Sequence, residues 1–294
     1  MISQRYNTTK HISKYFSLFF TDNDIFCPFA TKLLTLHKTT KTMKHIQLAI
    51  AAIVILLMAG CQSAPINARL MSYNIRNGRG IDDSISLERV ARVINAEEVE
   101  AVALQEVDSV TQRNPIDVAT ELGLMTNMHA TFGGSIDFQG GKYGIAILTR
   151  ERPISFWRVP LPCRLEPRSL LVVELERYYF CSTHLSLNEE DRVASIEIII
   201  NELSRLNKPV VLAGDLNALP TEQPIQLLKQ HFQVFDKTGP EGCCTWPADA
   251  PNIEIDYIAT YAAEEMPSEV KSHYVVAAPV ESDHRPIVAE IVLP

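Results

Sequence analysis

Polar and acidic side chains interrupt six apolar stretches of the sequence. Each stretch has the length and composition of a buried strand, so its polar residue should lie where the strand meets a loop. Burying a carboxylate without a partner costs free energy, and these groups should therefore be paired, hydrogen-bonded or bound to metal. The residues concerned are Asn74, Glu106, His184, Asp215, Asn217, Asp256, Asp283 and His284.

This set of side chains has the chemistry of a divalent-cation site. It contains four carboxylates, two imidazoles and two amides, and carboxylate and amide oxygens suit a hard cation. Taken singly, each residue is more typical of a helix cap or a turn. Their recurrence at one strand end after another favours a common site, with Mg²⁺ as the predicted ion and Mn²⁺ as the alternative.

The apolar periodicity predicts the elements that must position these groups. Strands are predicted at 70–75, 101–104, 144–148, 170–175, 179–181, 209–213, 253–258, 273–277 and 287–292. Helices are predicted at 87–94, 117–124, 186–206, where Ser186 begins a capping box, and 222–229. Helices between strands, with several consecutive strands in the middle of the chain, indicate an α/β sandwich with mixed sheets.

An apolar run, residues 46–60, follows Met43 and Lys44 and ends at Cys61. The run is shorter than the ~20 residues that a membrane-spanning helix needs. A short basic start and an apolar core are typical of a secretory signal. The ending LMAGC (57–61) resembles the bacterial lipobox, in which the cysteine is acylated. The alternative is an ordinary signal or membrane anchor that happens to contain a cysteine.

This interpretation divides the chain into four parts. Residues 1–42 are a non-native upstream extension, 43–60 a lipoprotein signal peptide, 61–66 a short linker that begins at lipidated Cys61, and 67–294 the functional domain. The protein is then exported and lipid-anchored at the bacterial cell envelope, in the outer membrane if the cell is Gram-negative.

The charge balance disfavours a long polyanion as substrate. Residues 1–60 hold seven of the 27 basic and two of the 35 acidic residues, which leaves 20 against 33, a net charge of −13, from Cys61 onward. Proteins that bind nucleic acid usually carry a basic surface. Long DNA or RNA is therefore a less favoured partner than a small phosphoester.

Four cysteines remain after Cys61. Because exported proteins reside in an oxidising compartment, a disulfide between Cys163 and Cys181 is expected. Cys243 and Cys244 are adjacent, and no second Cys/His pair has the spacing of a metal site. They are interpreted as packing thiols.

Seven short motifs resemble those of the endonuclease/exonuclease/phosphatase superfamily, in the order of that family. The superfamily includes exonuclease III, deoxyribonuclease, neutral sphingomyelinases and inositol-polyphosphate phosphatases. The resemblance implies a four-layer sandwich, two mixed β-sheets flanked by helices, over residues 67–294. The motifs are SYNI (72–75), LQEVD (104–108), YGIAIL (143–148), STHL (182–185), GDLN (214–217), IDYI (255–258) and SDHRP (282–286).

The resemblance also implies a role for each matching residue. Glu106 would be the principal Mg²⁺ ligand, with Asn74 beside it and Asp283 in or just outside the metal shell. Asp215 would orient and deprotonate the attacking water, helped by Asn217.

The remaining roles concern the phosphoryl group. His184 and His284 would hydrogen-bond its oxygens, and Asp256 would hold the ring of His284. Arg168 would clamp a substrate oxygen, and Tyr143 would line the pocket.

Three functions follow from these observations. The first is a Mg²⁺-dependent phosphoesterase that hydrolyses a phosphodiester or phosphomonoester, on a small or membrane-associated substrate. The second is an envelope nuclease, for which Arg76, Arg79, Lys142 and Arg168 could supply a basic strip. The third is a catalytically silent lipoprotein that binds a partner.

Overall fold

Twelve strands and four α-helices make up the part of the chain that the structure, a computed structural model, describes: residues 65–261 and 267–294. Pro65–Pro294 forms one structural unit. The predicted upstream extension, signal peptide and lipidated Cys61 lie outside the described residues. Among the described helices, none has the length and apolar character needed to span a membrane.

The first sheet has six strands, and only β1 and β2 within it are parallel. Its spatial order is β11 (Glu269–Val275), β12 (Ile287–Leu293), β1 (Ile66–Asn74), β2 (Ala101–Ser109), β4 (Gly141–Thr149) and β3 (His129–Phe138). The nearly continuous burial along β1 and β2 fits strands that are covered on both faces.

The second sheet also has six strands, with β7 and β8 as its parallel pair. Its spatial order is β5 (Ser155–Leu161), β6 (Arg168–Glu174), β7 (Tyr179–His184), β8 (Val210–Asp215), β10 (Asp256–Tyr261) and β9 (Phe232–Val234). Every residue of β7 and β8 is buried.

The helices cover the outer faces of the sheets. They are α1 (Leu87–Ala96), α2 (Val118–Thr126), α3 (Glu189–Leu203) and α4 (Gln223–Leu228). The capping box predicted at Ser186 is wrong, since α3 begins after Asn188, whose side chain accepts a hydrogen bond from the Asp191 amide at 3.2 Å. Ser186 instead accepts from the Asn188 amide and shapes the turn before the helix.

Three apolar cores separate the four layers. The central core lies between the sheets, and Leu70 and Ile147 of the first sheet share it with Phe180 and Val211 of the second. One outer core joins the first sheet to α1 and α2, and the other joins the second sheet to α3 and α4. Each fully buried aliphatic or aromatic side chain contributes roughly 1.5–3 kcal/mol. The predicted four-layer sandwich of two mixed sheets is confirmed.

Strand direction brings the polar ends of both sheets to one edge of the sandwich. Each sheet has one parallel pair, whose carboxyl ends lie together. The strands β4, β6, β10 and β12 are antiparallel to these pairs, so their first residues lie at the same end. Asn74, at the end of β1, donates a hydrogen bond to Asp215, at the end of β8. We call this common end the polar rim.

The expected disulfide between Cys163 and Cys181 is wrong, because both thiols are free. Cys181 points from β7 into the outer core beneath α3 and α4. Cys163 lies in a loop, where its thiol meets the Ser186 hydroxyl at 3.3 Å. Cys243 is exposed and Cys244 half-buried, so the interpretation of this pair as packing thiols is wrong as well.

His273 on β11 is buried, and no described residue makes a well-formed hydrogen bond to either of its ring nitrogens. Burial and the charge of Lys237 lower the pKa of His273 from 6.5 to about 3, and the carbonyls of Phe235 and Asp236 oppose this only in part. Between pH 6.5 and about 3, His273 therefore binds a proton in the unfolded chain but not in the folded chain. The free energy of unfolding has its full value above pH 6.5 and falls as the pH decreases towards 3.

We expect His273→Leu to lose less stability than the wild type on acidification. Each pH unit in the window costs the wild type up to about 1.4 kcal/mol. The urea midpoint, measured at about pH 7.5 and about pH 5, gives the change. His231→Leu is the matched control, because His231 is exposed. An equal loss in all three proteins would show that His273 does not couple stability to pH.

Candidate active site

Asp215, the last residue of β8, lies at the centre of the polar rim. The sheet register places it opposite His184 on parallel β7 and opposite Asp256 on antiparallel β10. The close approach of β7 and β8 requires Gly214, since a Cβ there would lie 2.0 Å from the Thr183 carbonyl oxygen. The GDLN motif therefore combines a side chain for chemistry with the glycine that lets its strand pack.

Asn74 links the two sheets at the rim. Its Nδ2 donates to Glu106 Oε1 and to Asp215 Oδ2, both at 3.1 Å. Its Oδ1 accepts from the backbone amide of Arg76 at 3.1 Å. Because that amide needs an acceptor, the side-chain N–H group is turned towards the two carboxylates. Asn74 thus sets the separation of Glu106 and Asp215.

Glu106 owes its orientation to a β-bulge in β2. The register with β4 shifts between Gln105 and Val107, and Glu106 itself has φ +60°. A non-glycine residue in this region of φ costs on the order of 1–3 kcal/mol, which the interactions of the surrounding sheet must offset. A bulge redirects the side chain of its extra residue. Here it turns a half-buried carboxylate towards Asn74.

His284 lies in the loop before β12 and is held between two acids. Its Nδ1 is 3.0 Å from Asp256 Oδ2, and its Nε2 is 3.7 Å from Asp215 Oδ2. Burial alone would lower the pKa of His284, but the charges of Asp256 and Asp215 outweigh it and raise this pKa to about 10. The ring is therefore an imidazolium, with one N–H group on Asp256 and the other facing Asp215.

His184 has the opposite charge state. Burial, then the charges of Arg168 and His284, lower the pKa of His184 well below its ordinary 6.5. Arg168 Nη1 lies 3.4 Å from Nδ1 and can only donate, so Nδ1 accepts and the proton of the neutral ring is on Nε2. This Nε2 is 3.4 Å from Asp215 Oδ2.

The rim has the donors and the charge that a divalent cation requires. Burial is the main cause that raises the pKa of Asp215 to about 7. Asp256 Oδ1 is buried and has no hydrogen-bond partner among the described residues. Asp215, Asp256 and His284 place donor atoms within 4.8 Å of one another. However, His284 Nδ1 is already bonded to Asp256. Glu106, half-buried and bonded here only by Asn74 Nδ2, is the more open oxygen donor.

Asn217 and Asp283 also lie at the rim, but their side chains are bound to neighbours. The backbone amide of Asn217 donates to Asp215 Oδ1 at 2.9 Å, while its side chain donates to the Leu185 carbonyl at 3.0 Å. Asp283 Oδ2 is 3.6 Å from Arg76 Nε, and its side chain is 32% exposed. Asn217 therefore supports Asp215 through its main chain.

The two predicted substrate-binding residues lie beside His184 and Glu106. Arg168 pairs with Glu166, and its buried Nε has no hydrogen-bond partner within residues 65–261 and 267–294. Tyr143 stands opposite Asp108 in the β2–β4 register. Burial, and then the charge of Glu106, raise the pKa of Tyr143, so it stays a neutral hydroxyl.

Comparison with known proteins decides the family. The sequence model of the "Endonuclease/Exonuclease/phosphatase family" matches residues 71–284, a span that contains all eight polar residues from Asn74 to His284. The chain belongs to this family. Its members are hydrolases that act on phosphoester bonds. Among curated protein sequences, none matches the chain.

Solved structures of the endonuclease/exonuclease/phosphatase family share the fold. A family protein from Beutenbergia cavernae has a TM-score of 0.65 at 23% identity, over 77% of this chain and 72% of that one. A mannosyl-6-phosphatase from Bacteroides thetaiotaomicron has 0.63 at 18%, over 77% and 100%. The human Nocturnin catalytic domain, solved with a sulfate anion, has 0.57 at 19%, over 78% and 96%.

The sequence did not single out a buried ion pair on β2, close to Glu106. Asp108, fully buried, accepts from Arg113 Nε and Nη2 at 2.8 and 3.0 Å. The Arg113 guanidinium lies over the Phe138 and Tyr143 rings, at 4.7 and 5.3 Å from their centroids. This stack fixes the wall of the rim beside Glu106. The sequence does contain a signal for this pair, because Asp108 is a second acid two residues after Glu106, within the buried strand β2.

Thr245 was also missed. It is buried, and its hydroxyl donates to Asp256 Oδ2, the oxygen that His284 also contacts. The stretch TWPADAP (245–251) resembles the family's approach to the strand of Asp256, but no role was predicted for Thr245, because its contact depends on how the loop returns to the rim.

Proposed function

We propose that the protein is a Mg²⁺-dependent phosphoesterase, with Mn²⁺ as the alternative ion, that hydrolyses a phosphodiester or phosphomonoester of a small or membrane-associated substrate. The observation that carries this proposal is the geometry at Asp215 Oδ2. Asn74 Nδ2 lies at 3.1 Å, His184 Nε2 at 3.4 Å and His284 Nε2 at 3.7 Å from this one oxygen. A single buried carboxylate is thus surrounded by N–H groups that can also serve a phosphoryl oxygen.

Asp215 is the base in this proposal. Its Oδ1 is held by the Asn217 amide and its Oδ2 by Asn74, so the carboxylate is fixed while it orients a water molecule and takes its proton. Burial destabilises the charged form of Asp215, which makes proton uptake easier.

The two imidazoles stabilise the charge that develops on the phosphoryl oxygens. His284 supplies a cationic N–H group, and Asp256 holds that ring through Nδ1. His184 supplies an N–H group of a neutral ring, and Arg168 fixes the tautomer of that ring. Fixed donors in a water-poor site need no reorganisation during the reaction.

Glu106 would hold the cation, with Asp283 beside it and Asn74 as the residue that positions the Glu106 carboxylate. When bound, the cation supplies Lewis-acid stabilisation of the phosphoryl oxygens. The side chains of Glu106 and Asp215, both bonded to Asn74, keep the ligand and the base a fixed distance apart.

The substrate class is supported by the net charge and by three exposed leucines on loops that are close in sequence to rim residues. Leu165, Leu187 and Leu219 are 87%, 72% and 42% exposed, and lie two or three positions from Arg168, His184 and Asn217. Exposed apolar side chains suit a substrate that carries an apolar group. The mannosyl-6-phosphatase of the same fold is a precedent for a small phosphomonoester.

The alternative, an envelope nuclease, has less support. The four cations proposed for its basic strip are each paired with a carboxylate. The pairs are Arg76–Asp283, Arg79–Asp83, Lys142–Asp137 and Arg168–Glu166. A paired cation has little charge to offer to a phosphate backbone.

We also propose that the protein is exported and anchored by lipid on Cys61, as the segment at 43–61 predicts. Metabolic labelling with a fatty-acid analogue tests this separately from catalysis, and Cys61→Ser should abolish the label. Labelling that survives the substitution would rule out Cys61 as the acylated residue.

We expect hydrolysis that requires Mg²⁺ or Mn²⁺, stops in excess EDTA and returns when metal is restored. The assay compares an aryl phosphodiester, sphingomyelin vesicles, inositol phosphates, sugar phosphates and plasmid DNA. Preference for DNA over every small substrate would favour the nuclease. No metal-dependent activity on any of them would favour the catalytically silent lipoprotein.

A further inference from the structure

Two adjacent thiols lie on the loop that supports the proposed active site. Cys243 is exposed and Cys244 half-buried, both are free, and their Sγ atoms are 3.9 Å apart. The interpretation as packing thiols does not account for an exposed Cys243 beside a half-buried Cys244. Neither residue takes part in the chemistry described above.

The next residue, Thr245, connects this pair to the rim at three points. Its amide donates to the Ile253 carbonyl at 2.9 Å, and its carbonyl accepts from the Arg285 amide at 2.8 Å. Its hydroxyl donates to Asp256 Oδ2. Asp256 Oδ1 has no partner, so Thr245 and His284 are the only side chains among the described residues that bind this carboxylate.

We propose that Cys243 and Cys244 form a redox-reactive dithiol whose closure to a vicinal disulfide moves Thr245 and lowers the turnover of the active site. The activity part of this inference rests on the proposed function, whereas the modification itself does not. The oxidant is an external disulfide, either the oxidised form of a small-molecule thiol or the disulfide of a thiol oxidase.

The chemistry is two successive thiol–disulfide exchanges. One cysteine thiolate attacks the external disulfide, which gives a mixed disulfide and releases one thiol. The second thiolate then attacks the cysteine sulfur of the mixed disulfide and releases the second thiol. Cys243 and Cys244 together lose two protons and two electrons, and the external disulfide is reduced to two thiols.

Because Cys243 and Cys244 are neighbours in the chain, a disulfide between them is strained, is easily reduced and changes the backbone conformation. Consecutive Cα atoms are about 3.8 Å apart across a trans peptide, closer than the roughly 4.4–6.8 Å of most disulfides. Closure must therefore distort the backbone next to Thr245. A strained disulfide is also easily reduced, which suits a switch better than a structural bridge.

The local electrostatics set the conditions for the reaction. Partial burial and the charge of Glu254 raise the pKa of the Cys243 thiol, and Lys237 opposes this only in part. The thiol is then mostly protonated at neutral pH, so exchange should accelerate as the pH rises.

The test treats the full-length protein, purified in detergent, with excess oxidised glutathione, blocks the remaining thiols with N-ethylmaleimide and measures the peptide masses. We expect the peptide with Cys243 and Cys244 to be unblocked and lighter by two hydrogen atoms. The kcat should fall by about tenfold, as for loss of one hydrogen bond to a charged group. The KM should stay unchanged, and dithiothreitol should restore both mass and kcat.

Two variants separate the pair from the other thiols. Cys244→Ser should keep the kcat of the reduced wild type and become insensitive to oxidant, whereas Cys163→Ser should respond like the wild type. Hydrogen exchange at the Thr245 amide, which bonds to Ile253, should accelerate on oxidation and reports the movement without any substrate.

Three results would overturn the inference. The first is that both thiols of the pair remain open to N-ethylmaleimide after oxidation. The second is a stable glutathione adduct without ring closure. The third is a closed disulfide with unchanged amide exchange at Thr245 and unchanged kcat. If the protein hydrolyses none of the substrates, the peptide masses and the hydrogen exchange at Thr245 still show whether the disulfide forms and moves the backbone. Failure of the proposed function is therefore recognised separately.

Discussion

Glu106→Gln is expected to lower kcat by about 10³-fold, while the fold and its stability are retained. The substitution keeps the shape of the side chain but removes the charge that would hold the cation. A bound cation stabilises the transition state by several kcal/mol, and a loss of about 4 kcal/mol corresponds to this fall in rate. Because Glu106 is half-buried and, within the part of the chain that the structure describes, is bonded only by Asn74 Nδ2, the amide fits the same space.

The measurement is the steady-state rate over a range of Mg²⁺ concentrations. We expect the variant to need more metal and to remain slow at saturation. Glu197→Gln is the matched control, because Glu197 is exposed on α3 and is not one of the rim residues. A variant that unfolds would make the loss structural, and one that keeps wild-type kcat would remove Glu106 from the cation site.

The strained backbone at Glu106 offers a second test of the same residue. Its φ of +60° is unfavourable for any residue except glycine. Glu106→Gly should therefore be inactive and yet at least as stable as Glu106→Ala in urea unfolding. If Glu106→Gly is inactive but more stable than Glu106→Ala, the strained backbone at this position is retained for function and not for stability. A less stable glycine variant would contradict that interpretation.

The sequence predicted the central strands well and the edge strands poorly. β1, β2, β7 and β8 are apolar because they are covered on both faces, and such strands give a strong signal. Those that it missed, β3, β5 and β9, are all at sheet edges. β3 contains Gly133 and Gly134, β5 contains Pro160, and β9 has only three residues. Edge strands tolerate these features because one side of their backbone is unpaired.

For the site, strand ends were predictable and loop contacts were not. Asn74, His184 and Asp215 end their strands, so strand direction alone brings them to one rim. The bulge that turns Glu106 could not be foreseen from residue types, because it depends on the pairing with β4. Contacts such as Thr245 with Asp256 join residues whose loop path is set by tertiary packing.

His284→Ala and Asp256→Asn should each lower kcat strongly, because the two residues act as one unit. Removal of one fixed donor to a developing charge typically costs about 10²–10³-fold. Asp256→Asn retains the ring but removes the charge that, with that of Asp215, raises the pKa of His284 to about 10. The substitution also removes the carboxylate acceptor that holds the His284 Nδ1 proton, so the ring is no longer fixed in one orientation and tautomer. His231→Ala, at an exposed position, controls for loss of an imidazole elsewhere.

The double variant separates this unit from two independent contributions. If Asp256 acts through His284, the variant with both substitutions should be about as slow as His284→Ala alone. Independent effects would instead multiply, to about 10⁴-fold or more. Single-turnover rates on an aryl phosphodiester would distinguish the two results, since they exclude product release. Multiplicative losses would mean that Asp256 contributes directly, for example as a cation ligand through its unpartnered Oδ1, and not by holding the His284 ring.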